Sequence, residues 1–246
     1  MVSPSLVLQQ LKQDYMNVVI DIETIPCDAD TRKILPPISP PATLKDESKI
    51  KKWREANVAR LEEEQYRKTA LDANVGRIVC IGMLFFSEKR VFRSGLSIFG
   101  EQEKLVLSTF WKHIHEHKTP YIITHNGLHF DLPFIWKRSV ILHVQPTMRF
   151  NLTRYRTDHM YDTMAVWSNW DVRDAITLDH LARTLGVARK SGSGQDVYDL
   201  WTARQYKAIA EYCFRDVYVT YCCYCRMNFL TPADASKIPV QYLDVG

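Results

Sequence analysis

The sequence predicts an α/β fold with a mixed central sheet flanked by helices and a helical insertion between the first two strands. Three observations support this. Short runs rich in β-branched residues alternate with helical patterns, two of these runs follow each other as a hairpin, and a long charge-dense stretch separates the first run from the second. A hairpin is antiparallel, so an all-parallel wound sheet is excluded.

The first half of the chain supplies most of the predicted strands. Residues 17–23 (NVVIDIE) form a buried strand that ends near Pro26, and residues 77–86 (RIVCIGMLFF) form the second. After a polar break at 87–89, residues 90–99 complete the hairpin. Apolar residues at helical spacing predict a helix over 101–118, which Pro120 ends, and YIITHN (121–126) is a short fourth strand.

The second half is predicted to be mostly helical. Helices are expected at 131–140, at 177–187 with an end near Gly186, and at about 204–229. The last strand of the sheet is the one element without a clear signal. It lies around 156–162 or is missing.

The excursion between the first two strands, about residues 28–75, is unusually long. It opens with ILPPISPP and continues into a helical stretch with eight basic and six acidic residues between positions 45 and 68. Long excursions from a compact domain usually have structure of their own and lie at a functional rim. Two interpretations stay open: a solvated helix held by i,i+4 ion pairs, or an arm that touches a nucleic-acid backbone.

Length and composition indicate a globular protein. We expect residues 1–246 to form a single domain, with a core at about 17–230 and a short tail at 231–246. The net charge of +4 permits a polyanionic partner without requiring one. No apolar run approaches the ~20 residues of a membrane helix and no export signal is evident, so we expect a cytoplasmic protein without membrane contact.

Six cysteines are present, and four of them fall in the last predicted helix. Neighbouring helical cysteines do not bridge easily, and no second Cys or His pair stands at zinc spacing. Reduced and buried thiols are therefore expected.

Three short acidic segments carry the chemistry: Asp21 with Glu23, then Asp131, then Asp216 with Tyr212. Alternate side chains share one face of a strand, so Asp21 and Glu23 form a two-carboxylate clamp. Positions four apart stack on a helix, which places Tyr212 beside Asp216.

Convergent carboxylates repel one another, and divalent cations remove that cost. Hard oxygen ligands favour Mg²⁺ or Mn²⁺ over zinc. Two such ions ~4 Å apart activate a water and stabilise the leaving oxygen of a phosphodiester. Hydrolysis of a nucleic-acid backbone is the chemistry that these residues indicate.

Each segment is a weak signal alone, but their order and combination are specific. The chain resembles the DEDD superfamily of 3′→5′ exonucleases, whose motifs are DxE on the first strand, an Asn followed by an aromatic–Asp pair, and YxxxD. These correspond to VVIDIE, HNGLHFD and YCFRD. The tyrosine form resembles the DEDDy branch, and VVIDIETIP, KTALDANVGRIVCIG, HNGLHFDLPFI and DVYDLW resemble the stand-alone PolB-like predicted 3′→5′ exonucleases over about residues 17–230.

The resemblance implies a ribonuclease H-like sheet and a role for each motif residue. Asp21, Glu23 and Asp216 would hold one of two Mg²⁺ or Mn²⁺ ions, and Asp21 with Asp131 the other. Tyr212 would orient the attacking water, since a phenol with a pKa near 10 is a guide rather than a base at neutral pH. The implied reaction releases nucleoside 5′-monophosphates from the 3′ end of DNA, preferably single-stranded or frayed.

The resemblance also implies a set of substrate contacts: Asn126, Gly127 and Phe130 in the second motif, and Thr24 beside the first. Phe130 has plain core packing as its alternative. His125 and His129 invite interpretation as a metal pair, but with oxygen ligands available a hydrogen-bonding or packing role is favoured.

Three further features have open roles. Asp162 either supports the site from behind or caps a helix. Asp196 is an acid near the segments that the family places around substrate. The basic and aromatic stretch at 149–161, with ARKSGSGQ at 188–195, suits either single-strand binding or the core.

Two other functions compete with a DNA exonuclease. An exoribonuclease of the oligoribonuclease or ribonuclease D type uses the same chemistry on RNA, and no residue here reports on the 2′-OH. A non-catalytic module that binds replication or repair proteins is less favoured, because every motif position is filled.

Overall fold

A computed structural model describes residues 16–87, 92–117, 121–187 and 197–246 of the chain, and it contains one six-stranded sheet. The order of the strands across the sheet is β5-β4-β1-β2-β3-β6. Their bounds are Met16–Ile25 (β1), Arg77–Ser87 (β2), Phe92–Phe99 (β3), Tyr121–Thr124 (β4), Met160–Asp162 (β5) and Val240–Asp244 (β6).

The described residues form eight helices. They are Ala29–Lys33 (α1), Glu47–Lys68 (α2), Glu103–Glu116 (α3), Asp131–Ile141 (α4), Thr163–Trp167 (α5), Leu178–Leu185 (α6), Val197–Thr202 (α7) and Tyr206–Met227 (α8). Short 3₁₀ turns lie at Thr69–Leu71, Val172–Asp174 and Ala235–Lys237. The α/β class, the flanking helices and the insertion before β2 are confirmed.

The sheet is mixed, as the sequence predicts. β2 runs antiparallel to both β1 and β3, whereas β1–β4, β4–β5 and β3–β6 are parallel pairs. The predicted β2–β3 hairpin is present, although residues 88–91 lie outside the described residues. β5 settles the open question of the last predicted strand, because it falls within 156–162.

The C-terminal segment contains a strand that the sequence did not reveal. Residues 231–246 were expected to be a tail, but Val240–Asp244 pairs with β3 in parallel, from Gly95 opposite Val240 to Phe99 opposite Asp244. The structure therefore corrects that expectation. A five-residue strand has little local signal of its own, and this one depends on the open edge that β3 offers.

The two faces of β1 serve different parts of the molecule. Val18, Ile20 and Ile22 pack into the core on the side of α3 and α4, and Val19 packs with α8 on the opposite side. Asp21 and Glu23 share the α8 side of the strand, because period-2 alternation places them with Val19. The predicted separation of these acids from their isoleucine neighbours is confirmed.

Helix α8 approaches the sheet unusually closely. A Cβ atom on Gly82 would lie 2.8 Å from Val217 Cγ2, and one on Gly95 would lie 2.5 Å from a ring carbon of Phe214. Ser97, which is also in β3, donates a hydrogen bond to the Ala210 carbonyl at 3.0 Å. Because glycines occupy these positions of β2 and β3, α8 can pack close to the sheet and near β1.

All six cysteines are free and buried, as expected. Within the described ranges, no helix is both long enough and apolar enough to cross a bilayer.

Candidate active site

The site begins with the carboxylate pair near the carboxyl end of β1. Asp21 and Glu23 are half-buried, and the β1–β2 register shifts immediately after Glu23. Thr24 follows at this irregularity and is half-buried as well. The pair therefore lies where the strand leaves regular pairing and its side chains become accessible.

A thiol that the sequence interpretation missed completes the group. The Cys213 Sγ of α8 lies 3.7 Å from Asp21 Oδ2 and 3.5 Å from the Asp21 carbonyl oxygen. Potential ligand atoms of Asp21, Glu23 and Cys213 all lie within 4.8 Å of one another. Burial, reinforced by a hydrogen bond with Cys80, raises the pKa of the Cys213 thiol well above its ordinary value.

Asp131, the first residue of α4, reaches the same strand from its other edge. The β1–β4 pairing ends at Val19 opposite Ile123, which leaves the next part of this β1 edge without β4. The Asp131 Oδ1 accepts a hydrogen bond from the Ile22 amide at 3.0 Å, between the two clamp acids. Burial raises the pKa of Asp131 to about 7.

The loop between β4 and α4 is wrapped around the Asp162 carboxylate. Asp162 accepts hydrogen bonds from the amides of Asn126 and Leu128 at 3.0 and 2.9 Å, and it also caps α5 through Met164 and Ala165. Asp162 thus caps α5, which was one of its two expected roles, and it also anchors this loop.

Two residues of this loop have special backbone requirements. Asn126 has a φ of 64°, a left-handed conformation that asparagine tolerates better than most residues. A Cβ atom on Gly127 would lie 2.4 Å from Thr124 Cβ. Asn126 and Gly127 in HNGLHFD are therefore explained in part by the turn that places Asp131 beside β1.

Tyr212 and Asp216 lie one turn apart on α8, as predicted. Tyr212 is half-buried, with the Arg215 guanidinium 5.8 Å from its ring centre, and Asp216 is 8% exposed. The next residue, Val217, is one that Gly82 allows to approach the sheet. The close packing of α8 thus holds the third motif on the face that carries Asp21 and Glu23.

The predicted acids converge incompletely at metal-ligand distance. Among the described residues, the 4.8 Å group contains Asp21 and Glu23 but neither Asp131 nor Asp216. Asp131 is connected to the clamp through the Ile22 amide, and Asp216 through α8. Closer approach of four carboxylates would increase their mutual repulsion, which only a bound cation offsets.

The two loop histidines and Phe130 have different surroundings. His125 is engaged through both ring nitrogens, with Thr163 Oγ1 at 2.9 Å and the Ile176 carbonyl at 3.0 Å, and burial lowers its pKa. His129 is exposed. Phe130 is half-buried against the core, with its ring 5.4 Å from that of Phe134.

The remaining candidates are divided between described and undescribed segments. In the basic stretch, Arg156 forms an ion pair with Asp158 at 2.8 Å, and Arg149 and His159 line a cavity of about 240 Å³ beside β5. Asp196 and residues 188–195 lie outside the described residues.

These features define a class of protein: a mixed α/β fold with acidic residues gathered at the end of its central strand. The chain belongs to the family described as "Predicted 3'-5' exonuclease related to the exonuclease domain of PolB", which it matches over residues 68–236. The matched span contains Asp131, Tyr212 and Asp216, whereas Asp21 and Glu23 precede it. Membership supports a nuclease role and a nucleic-acid substrate.

Individual relatives are large polymerases. The chain is 27% identical over 162 residues to the catalytic subunit of DNA polymerase epsilon from Emericella nidulans, which covers 60% of this chain and 7% of that protein. The corresponding polymerase from Aspergillus fumigatus is 27% identical over 161 residues, again 60% of this chain and 7% of the relative. This chain therefore spans a small fraction of these proteins.

A solved structure supports the fold. The family B DNA polymerase from the hyperthermophilic archaeon Pyrobaculum calidifontis superposes with a TM-score of 0.53 at 14% identity. The superposition covers 87% of this chain and 24% of that polymerase. At this level of identity, the likeness shows that the two proteins share a mixed α/β fold.

Proposed function

We propose that this chain is a metal-dependent 3′→5′ exonuclease of the DEDDy type, formed by one domain, that removes nucleoside 5′-monophosphates from DNA. Its preferred substrate is a single-stranded or frayed 3′ end. The main support for this proposal is that three separate segments meet at the end of β1. The Asp21–Glu23 pair lies there, Asp131 accepts a hydrogen bond from the Ile22 amide between the two acids, and α8, the helix of Tyr212 and Asp216, contacts Asp21 through Cys213.

The donor set suits hard divalent cations. Carboxylate oxygens are the ligands that Mg²⁺ and Mn²⁺ favour, and Asp21 and Glu23 already stand within 4.8 Å of each other. The raised pKa of Asp131 is the cost of burying that carboxylate, and a cation beside it offsets this cost. Asp21, Glu23 and Asp216 would hold one ion, and Asp21 with Asp131 a second.

When bound, two such ions acidify a water and neutralise charge that develops on the phosphate. The protein residues perform the remaining tasks. Tyr212 orients the water through its hydroxyl. The terminal nucleotide would contact Asn126, Gly127, Thr24 and Phe130.

The primary test is digestion of a 3′-end-labelled DNA strand with Mg²⁺ or Mn²⁺, with Asp21→Ala as the paired variant. The parent should release mononucleotides stepwise from the 3′ end, and Asp21→Ala should lose activity by on the order of 100-fold or more. Equal degradation by both proteins would indicate a contaminant and remove the catalytic assignment.

The DEDDy assignment has a separate test in Tyr212→Phe. This variant retains the ring and loses the hydroxyl, so kcat should fall while the KM for the strand is unchanged. A parallel assay on RNA of the same sequence shows whether the enzyme prefers a deoxyribose or a ribose substrate. Faster hydrolysis of the RNA would replace the DNA substrate with an exoribonuclease one.

A further inference from the structure

The insertion before β2 forms an arm that is attached to the body at one end. We define the arm as residues 34–68, which comprise the Pro-rich segment and α2. Tyr66, in the last turn, is the one residue of α2 that is buried. At this root the Tyr66 hydroxyl lies 3.2 Å from the Tyr198 hydroxyl, Arg67 forms an ion pair with Asp199, and Thr69 Oγ1 accepts a hydrogen bond from the Cys27 amide.

The root lies close to the candidate site. Cys27 follows Glu23 by four residues, and Tyr198 and Leu200 of α7 belong to the packing cluster that contains Cys213. From Lys68 to Lys49 the helix extends about 28 Å at 1.5 Å per residue. The carboxyl end of α2 therefore packs near the clamp, and its amino-terminal half lies far from the clamp along the helix.

Charge is distributed unevenly along the arm. The tip, residues 45–54, has five basic and two acidic residues, whereas residues 55–68 have three basic and four acidic ones. At the root, Arg60 pairs with Glu64, and both Arg67 and Arg32 pair with Glu63. Among the described residues, the tip cations have no ion pair with a carboxylate, and all are exposed; they are Lys45, Lys49, Lys51, Lys52 and Arg54.

This distribution does not serve the stability of the helix. Asp46 caps α2 and Glu47 lies in its first turn, so the two acids of the tip already complement the helix dipole, and the cations add nothing to it. Residues 55–68 have the i,i+4 ion pairs of a solvated helix, whereas in the tip the basic residues outnumber the acidic ones. An exposed cluster of five basic residues against two acidic ones, without ion pairs among the described residues, is better explained by an external anion.

We propose that the tip of the arm binds the phosphate backbone of the substrate strand, upstream of the 3′ end that is cleaved. This inference rests on the proposed function. An extended single strand rises more than the 3.4 Å per nucleotide of a duplex, so about 28 Å corresponds to at most roughly eight nucleotides. The family match begins at residue 68, so nearly all of the arm lies outside the matched span.

The test compares strand lengths in two triple variants. The tip variant is Lys49→Gln with Lys51→Gln and Lys52→Gln, which keeps good helix formers. Its control removes three exposed cations from the helices on the opposite side of the sheet, through Lys104→Gln, Lys112→Gln and Lys137→Gln. The substrates are a trinucleotide and a strand of about twenty nucleotides, which is long enough to reach the tip.

The tip variant should lose roughly tenfold in kcat/KM on the long strand and nothing on the trinucleotide. For binding of the long strand in Ca²⁺, the slope of log K against log salt should be less steep by about 2, since each phosphate contact contributes about 0.7. The control variant should match the parent in both measurements.

Three results would overturn the inference: equal activity of tip variant and parent on both lengths, an equal loss on both lengths, or the same loss in the control. If the parent cleaves neither substrate, the proposed function is wrong. The salt dependence of strand binding then tests the role of the arm separately. Unchanged salt slopes in the tip variant would show that its cations contact some other partner, such as an acidic protein segment.

Discussion

The Asp131 Oδ1 accepts a hydrogen bond from the Ile22 amide, between the two acids of the β1 clamp. This bond replaces the pairing that β4 ceases to provide beyond Val19. One carboxylate therefore has two tasks. It accepts a hydrogen bond from a buried backbone amide that would otherwise have no partner, and it brings a negative charge to the site.

Substitutions of Asp131 separate these tasks. Asp131→Asn retains an oxygen acceptor for Ile22, whereas Asp131→Ala removes it. We expect the alanine variant to be less stable than the asparagine variant by about 1–3 kcal/mol, the usual cost of an unsatisfied buried donor. Urea unfolding in EDTA measures this difference. Both variants should lose nuclease activity, and equal stability of the two would show that the Ile22 bond contributes little.

The burial of Asp131 also predicts a pH effect on the metal-free protein. Its pKa of about 7 in the folded state exceeds the ordinary value of 3.8, so folding favours the protonated form. The stability that this group contributes is complete below about pH 4 and is lost as the pH rises to about 7.

In EDTA, the Tm of the parent should therefore fall relative to that of Asp131→Asn between about pH 5 and pH 7, because the opposite effect of buried histidines such as His125 is common to both proteins. This range lies above the titration of several surface aspartates whose pKa values are lowered by hydrogen bonds, so their opposite contribution is already complete. Mn²⁺ should restore part of the lost Tm in the parent at the upper pH. Parallel Tm curves for the two proteins would contradict the assignment.

Local patterns were enough to predict much of the fold and of the site. Alternation along β1 put Asp21 and Glu23 on one face, and the four-residue spacing on α8 put Tyr212 beside Asp216. Both relationships depend on one element only, so the sequence contains them in full. β2, β3 and α8 were predictable for the same reason.

Relationships between elements were not predictable in this way. Strand β6 exists because β3 has an open edge, and Cys213 approaches Asp21 because α8 packs closely on the sheet. One signal was available: Gly82 interrupts an apolar strand, and an interior glycine often marks a close backbone approach. That signal indicates close packing but does not identify the residue that fills the space.

The close packing at Gly82 leads to a third prediction. Gly82→Ala would place a Cβ atom 2.8 Å from Val217 Cγ2 and 2.9 Å from Cys213 Sγ, which forces α8 away from β2. We expect a loss of about 1–3 kcal/mol in unfolding free energy, together with a loss of activity, since α8 carries Tyr212 and Asp216.

Gly186→Ala is the matched control. Gly186 has a φ of 64° with nothing within 4 Å of the added Cβ, so alanine there costs backbone strain of about 1 kcal/mol without displacing α8. Urea unfolding and initial rates at low temperature compare the two variants. Full activity in folded Gly82→Ala would show that the site tolerates a shift of the helix.

Cys213 leads to the last prediction, which concerns zinc. Its sulfur stands with Asp21 and Glu23 in a group of potential ligands within 4.8 Å, and a thiolate with two carboxylates suits Zn²⁺ better than Mg²⁺. Zn²⁺ should therefore inhibit Mg²⁺-supported hydrolysis, and it should raise the Tm of the EDTA-treated protein.

Cys213→Ser should require on the order of tenfold more Zn²⁺ for both effects, because a hydroxyl is a poor replacement for the thiolate. Cys222→Ser is the control, since it removes a buried thiol from the same helix outside the ligand group. The serine at 213 preserves the Mg²⁺ ligands, so its activity without zinc shows whether the thiol also helps to orient Asp21. If both serine variants respond to Zn²⁺ like the parent, Cys213 is a packing residue that does not bind the ion.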